Sequence, residues 1–110
     1  MNATLLAALI AVESGGRDNA IGDRHLSQPA VGALQIRQPV LDDVNRIVRT
    51  NWTIMQMTNR TLAIRVADTY LNRYGKGKSL HDLARIWNGG PNGHRRPSTL
   101  SYLRKIKRYL

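Results

Sequence analysis

The 110-residue chain contains no cysteine, which excludes disulfides, thiolate zinc sites and cysteine nucleophiles together. Acidic residues are scarce, seven against 17 Lys and Arg. Six of the seven are aspartates, and Glu13 is the only glutamate. No apolar run is long enough to cross a bilayer. There is no internal repeat, low-complexity tract or linker, so the length fits one domain, residues 1–110, with room for an independent core. The glycines do not follow a strand, which removes the P-loop and dinucleotide fingerprints. His25, His81 and His94 are dispersed, without metal-ligand spacing. No cofactor is implied.

What remains is a strong basic excess, a net charge of +10. Such a charge predicts attraction to a polyanion: nucleic acid, an anionic membrane surface or an acidic cell-wall polymer. The hydrophobic fraction, 42%, belongs to a globular chain.

The pattern along the chain is mostly helical. The opening MNATLLAALIAVE lacks the charged start and small cleavage-site residues of a signal peptide. It reads as a core helix with Leu5, Leu6, Leu9, Ile10 and Val12 inward, ended by Ser14, Gly15 and Gly16. Residues 15–37, rich in Gly, Asp, Asn, Pro and Ser, read as a long structured loop with a small hairpin around IGD and VGALQI. Loops of that length in compact domains are usually functional. From Pro39 a helix carries Val40, Val44, Ile47 and Val48 on one stripe, and residues 51–58 are an ambiguous connector. Then Ala63, Val66, Ala67, Tyr70, Leu71 and Tyr74 form the clearest ladder, stopped at Gly75. Ser79 caps the next helix, with Leu80, Leu83, Ala84 and Trp87 on one face. A final helix from about Ser98 turns Leu103, Ile106 and Leu110 inward.

Glu13 has the features of a general acid. It lies four residues after Leu9 and so continues an apolar face. It also sits at a helix C-terminus, where the macrodipole disfavours negative charge. Both influences raise a carboxyl pKa and keep a proton available near neutrality. The plainer reading is a solvated glutamate on a frayed helix end.

Three blocks then stand in order: Glu13-Ser14-Gly15-Gly16, Gly32-Ala33-Leu34-Gln35-Ile36 and Ile86-Trp87-Asn88-Gly89-Gly90. Together with the helix plan they resemble the signature of the soluble-lytic-transglycosylase and goose-type-lysozyme group within the lysozyme-like superfamily. There the pattern is Glu-Ser, Gly-Leu-Met-Gln and Ala-Tyr-Asn. The variants here look most like small phage-type members. The implied fold is mostly α, a lysozyme-like α+β domain whose loop and hairpin segment follows the first helix.

The resemblance implies cleavage of the β-1,4 bond between N-acetylmuramic acid and N-acetylglucosamine in peptidoglycan. Glu13 carries over as the acid that protonates the leaving oxygen, with Ser14 a helper or a plain helix cap. Gln35 is expected to offer its amide to sugar hydroxyls or acetamido groups, and Gly32 to let backbone approach the sugar. Trp87 is either core or an apolar wall for a sugar ring; Asn88 is a helix C-cap, a substrate contact or both. Trp87 stands where the family has a tyrosine thought to hold the catalytic carboxyl. Either the indole takes that role, or Tyr70 or Tyr102 reaches in. The longer stretch before Gln35 holds Gly22-Asp23, which resembles goose-type lysozymes. Asp23 is a water-positioning base, a substrate ligand or a loop-forming Asx residue. Inverting hydrolysis needs such a base roughly 6.5–9.5 Å from the acid. A lytic transglycosylase needs none, since the muramic acid C6 hydroxyl attacks and one carboxyl serves as acid, then base. The sequence leans to the transglycosylase.

The basic C-terminal RKIKRYL and Arg95-Arg96 would hold such an enzyme near anionic wall polymers or membrane phosphates. A nucleic-acid-binding domain explains the charge but not the three blocks, and no helix-turn-helix signature is evident. A non-catalytic wall-binding module has no need of a glutamate at an apolar helix end. The partner expected is therefore the peptidoglycan glycan strand, bound by a monomer, and not nucleic acid. With no recognisable export signal, the route expected to the bacterial wall is a phage lysis system or a virion.

Overall fold

A computed structural model describes all residues, Met1–Leu110. Five helices and a short antiparallel hairpin follow one another along the chain: α1 (Ala3–Ser14), β1 (Ile21–Gly22), β2 (Ala30–Val31), α2 (Gln38–Val48), α3 (Arg60–Gly75), α4 (Leu80–Gly89) and α5 (Leu100–Lys107). In the hairpin Ile21 pairs with Val31 and Gly22 with Ala30. A further bridge, Val31 to Ile36, folds the segment after β2 back on itself.

Local chemistry sets the helix ends. The Asn2 side chain accepts from the Leu5 N–H, capping α1. Gly15, in the left-handed region, closes it by donating to the Ala11 carbonyl. Ser79 caps α4 through the Asp82 N–H, as the sequence predicts, and proline stands in the first turn of α2. The connector 51–58 resolves into a 3-10 turn, Ile54–Thr58, opened by a reciprocal Thr53–Gln56 capping box.

Leu5, Leu9, Leu34, Ile36, Leu41, Met57, Ile86 and Ile106 lie fully buried at the centre. Each such side chain contributes about 1.5–3 kcal/mol through its removal from water. The hairpin segment thus supplies core residues from both sides of Gln35, which fixes that residue against the helices.

Several expectations change. On α2, Leu41 and Val44 form the buried stripe, while Val40, Ile47 and Val48 are half-buried. Leu110 is 40% exposed, because α5 ends at Lys107 and the last residues leave the core. That helix begins at Leu100, after a 3-10 turn, Pro97–Thr99, whose buried Thr99 hydroxyl lies 2.8 Å from the Gly93 carbonyl. Asn88 is not the cap of α4. The helix runs on to Gly89, and the Gly90 N–H closes it on the Ile86 carbonyl. Gly32 serves packing rather than a sugar: it is buried at φ 88°, and a Cβ there would collide with the Met57 carbonyl.

Candidate active site

Glu13 ends the apolar face of α1, and its carboxyl is mostly removed from water. The Tyr102 hydroxyl on α5 donates to Glu13 Oε2 at 2.8 Å. Burial of the carboxyl raises its pKa above the ordinary 4.5. Against that rise act, in decreasing order, the Tyr102 hydroxyl, the Trp87 indole N–H, and the positive charges of Arg37 and Lys105. Only the Tyr102 contact has full hydrogen-bond geometry. Tyr102 is itself 8% exposed. Burial and the neighbouring carboxylate push its own pKa far up, so the hydroxyl keeps its proton and can donate at neutral pH. Of the three aromatic candidates, Tyr102 is the one whose contact with Glu13 is a full hydrogen bond. Tyr70 instead packs edge-on against Trp87, 5.9 Å between ring centroids.

Two basins meet at Glu13, and both also touch Gln35. The first, about 360 Å³, is walled by Tyr70, Trp87 and Val40. Asp23, Arg37 and Asn88 line it as well. This is an amphipathic slot, with apolar surface for a ring face and polar groups for its hydroxyls. The second, about 520 Å³, runs along the loop past Arg17, Asn19, Gly22 and Arg24.

The structure brings Glu13, Asp23, Gln35, Trp87 and Asn88 to one cleft. Tyr102 stands behind Glu13. Ser14 lines neither basin. It is buried, its hydroxyl donates to the Ile10 carbonyl and accepts from the Gly16 N–H, and its work is to fasten the helix end. Gln35, at φ 51°, directs its amide nitrogen to the carbonyls of Ala20 and Gly32, 3.2 and 3.0 Å away. Its Oε1 lies against Gly22, where a Cβ would displace it. The amide therefore locks the hairpin onto the bend after β2. Asp23, also left-handed at φ 56°, forms an ion pair with Arg37, the N-cap of α2. Arg37 escapes sequence reasoning. Its one signal is position, two residues after Gln35 and at the entry to a helix. The histidines gather into no metal-binding group.

The family model for the transglycosylase SLT domain matches residues 1–110. The chain belongs to that family. Membership supports peptidoglycan-cleaving glycosidase activity. Solved structures agree on the fold. A chain in the crystal structure of Aeromonas hydrophila PliI in complex with Meretrix lusoria lysozyme superposes with a TM-score of 0.83 at 24% identity. The inhibitor-bound lysozyme from Meretrix lusoria gives the same values, and each alignment covers 98% of this domain and 89% of the other chain. The Tapes japonica lysozyme aligns at TM-score 0.80 and 25% identity over 96% of this domain and 88% of its own chain. A comparison with curated protein sequences returns no match. The SLT domain therefore has a lysozyme-like fold, mostly helical with one small hairpin.

Proposed function

We propose that residues 1–110 form one catalytic domain that cleaves the β-1,4 bond between N-acetylmuramic acid and N-acetylglucosamine as a lytic transglycosylase. One observation carries the reading: a single desolvated carboxyl, Glu13, lies where the two basins meet and is held by a hydrogen-bond donor, Tyr102. The neutral Glu13 carboxyl gives its proton to the glycosidic oxygen as the bond from that oxygen to muramic acid C1 breaks. Positive charge then develops at C1 and the ring oxygen. The resulting Glu13 carboxylate accepts the proton of the C6 hydroxyl as that oxygen bonds to C1. The product is a 1,6-anhydro ring, and the carboxyl returns to its starting form. Tyr102 and the charges of Arg37 and Lys105 favour the carboxylate between the two transfers.

Trp87 and Tyr70 supply the wall for a sugar ring, and Asn88 a polar contact at its edge. Gln35 holds the loop and leaves Oε1 as its acceptor. Asp23, bound to Arg37, is a substrate ligand in this reading. A second reading, hydrolysis with Asp23 positioning water, is favoured by the presence of Asp23 and Glu13 in one cleft.

Mass spectrometry of fragments released from purified peptidoglycan tests both readings. Fragments ending in 1,6-anhydromuramic acid, lighter by one water than the reducing form, are expected. Glu13→Gln should release none, and Asp23→Asn should remain largely active. Reducing ends, with Asp23→Asn inert, would establish hydrolysis instead.

Arg95, Arg96, Arg104, Lys105, Lys107 and Arg108 form no ion pair with an acidic residue. This supports their attraction to anionic wall polymers. The likeness of the sequence blocks to small phage-type members supports release at lysis or carriage in a virion, which proteomics of purified virions tests.

A further inference from the structure

The second basin differs from the first in a way that catalysis does not require. It has no aromatic platform, and it presents Arg17 and Arg24. Each of these arginines stands beside an aspartate in sequence, in Arg17-Asp18 and Asp23-Arg24. Neither aspartate neutralises its neighbour. Asp18 is taken by Arg60, whose Nε lies 2.6 Å from Oδ1, while the Arg60 Nη2 holds the Gly16 carbonyl at 2.6 Å. Asp23 is taken by Arg37. Arg17 uses only Nε internally, on the Ser14 carbonyl at 3.0 Å, which steadies the guanidinium and leaves both Nη groups open. Arg24 makes no ion pair at all. Glu13 is the only acidic residue lining this basin.

Two guanidinium forks in a polar hollow suit carboxylates, which they bind in planar, paired hydrogen bonds. In the substrate class proposed above, muramic acid carries peptide stems rich in carboxylates. We infer that the basin lined by Arg17, Asn19 and Arg24 is a subsite for the stem carboxylates, so that the enzyme selects peptide-bearing strands over bare glycan. The inference rests on the peptidoglycan reading. Bare strands retain one carboxylate on each muramic acid, that of the lactyl ether, so the shared chemistry has two sources.

Calorimetry separates them, using the Glu13→Gln protein so that no turnover intervenes. The ligands are a peptide-bearing tetrasaccharide, the same tetrasaccharide stripped of peptide by an amidase, and an N-acetylglucosamine tetramer. Tighter binding of the peptide-bearing ligand is expected. Adding Arg17→Gln and Arg24→Gln together should lower that affinity about tenfold and remove the preference. Added salt should weaken the peptide-bearing ligand most. An equal loss for stripped and peptide-bearing ligands, with none for the N-acetylglucosamine tetramer, would assign the basin to the lactyl carboxylate and overturn the proposal. No loss for any ligand would overturn it as well. If the unaltered protein releases no fragments from peptidoglycan while this binding pattern holds, the glycosidase reading falls and the subsite stands.

Discussion

Replacing Tyr102 with phenylalanine tests the core of the mechanism with the loss of one oxygen atom. The ring stays, so the packing of α5 against α1 is kept. What disappears is the 2.8 Å hydrogen bond to Glu13 Oε2, the one contact of full geometry on that carboxyl. A hydrogen bond to an ionised group is worth about 1.5–3 kcal/mol. It favours the carboxylate that forms after proton donation, so its loss raises the barrier and slows kcat about ten- to hundredfold. The same loss makes the neutral carboxyl more persistent. Activity that requires protonated Glu13 therefore survives to higher pH in the variant. The assay is kcat and kcat/KM against pH on soluble glycan strands. The alkaline limb should move upward in Tyr102→Phe while the maximum falls. Tyr74→Phe, whose hydroxyl donates to Asp43 between α2 and α3, provides a control that should leave the limb in place. An alkaline limb that stays fixed, or moves downward, with kcat unchanged would refute the role given to Tyr102.

Glu13→Gln should abolish wall lysis and stabilise the fold at neutral pH. Glu13 is held above its ordinary 4.5 chiefly by burial, so the folded protein binds more protons than the unfolded chain once the pH exceeds that value. The resulting penalty is absent at lower pH and grows as pH rises towards the raised value. Single stabilising substitutions commonly gain about 0.5–2 kcal/mol, so melting at pH 7 should rise by a few degrees and the gain should vanish near pH 4. Gly32→Ala should lower stability by about 2–4 kcal/mol in a denaturant titration, through left-handed strain and collision with the Met57 carbonyl. Arg104, Lys105, Lys107 and Arg108 changed together to glutamine should weaken binding to whole walls at low salt more than at high salt. A salt dependence that did not change would remove that surface from the targeting role.

Much of this organisation was legible in one dimension. A run of apolar residues broken at Ser14-Gly15-Gly16 determines where α1 stops, and it places Glu13 on the last turn of a buried face. The ladder from Ala63 to Leu71 and the cap at Ser79 are equally local, because helical periodicity and capping act over three or four residues. The order of the three motif blocks, and with it the family, is also a property of the sequence alone.

Tertiary structure decided the partners. Three aromatics were open as supports for Glu13, and only the closing of α5 onto α1 brings Tyr102, 89 positions away, to its oxygen. Gln35 reads as a ligand for sugars, yet its amide nitrogen is taken by the Ala20 and Gly32 carbonyls, a use that exists only once the hairpin has formed. Gly32 reads as room for a substrate, and the room is filled by the turn holding Met57. Likewise Asp18 and Asp23 are nearest in sequence to Arg17 and Arg24, but pair with Arg60 and Arg37. Periodicity records which way a side chain faces. It does not record what it meets there, because hydrogen bonds and ion pairs reach about 3–4 Å in space and depend on which distant segments the buried core draws together.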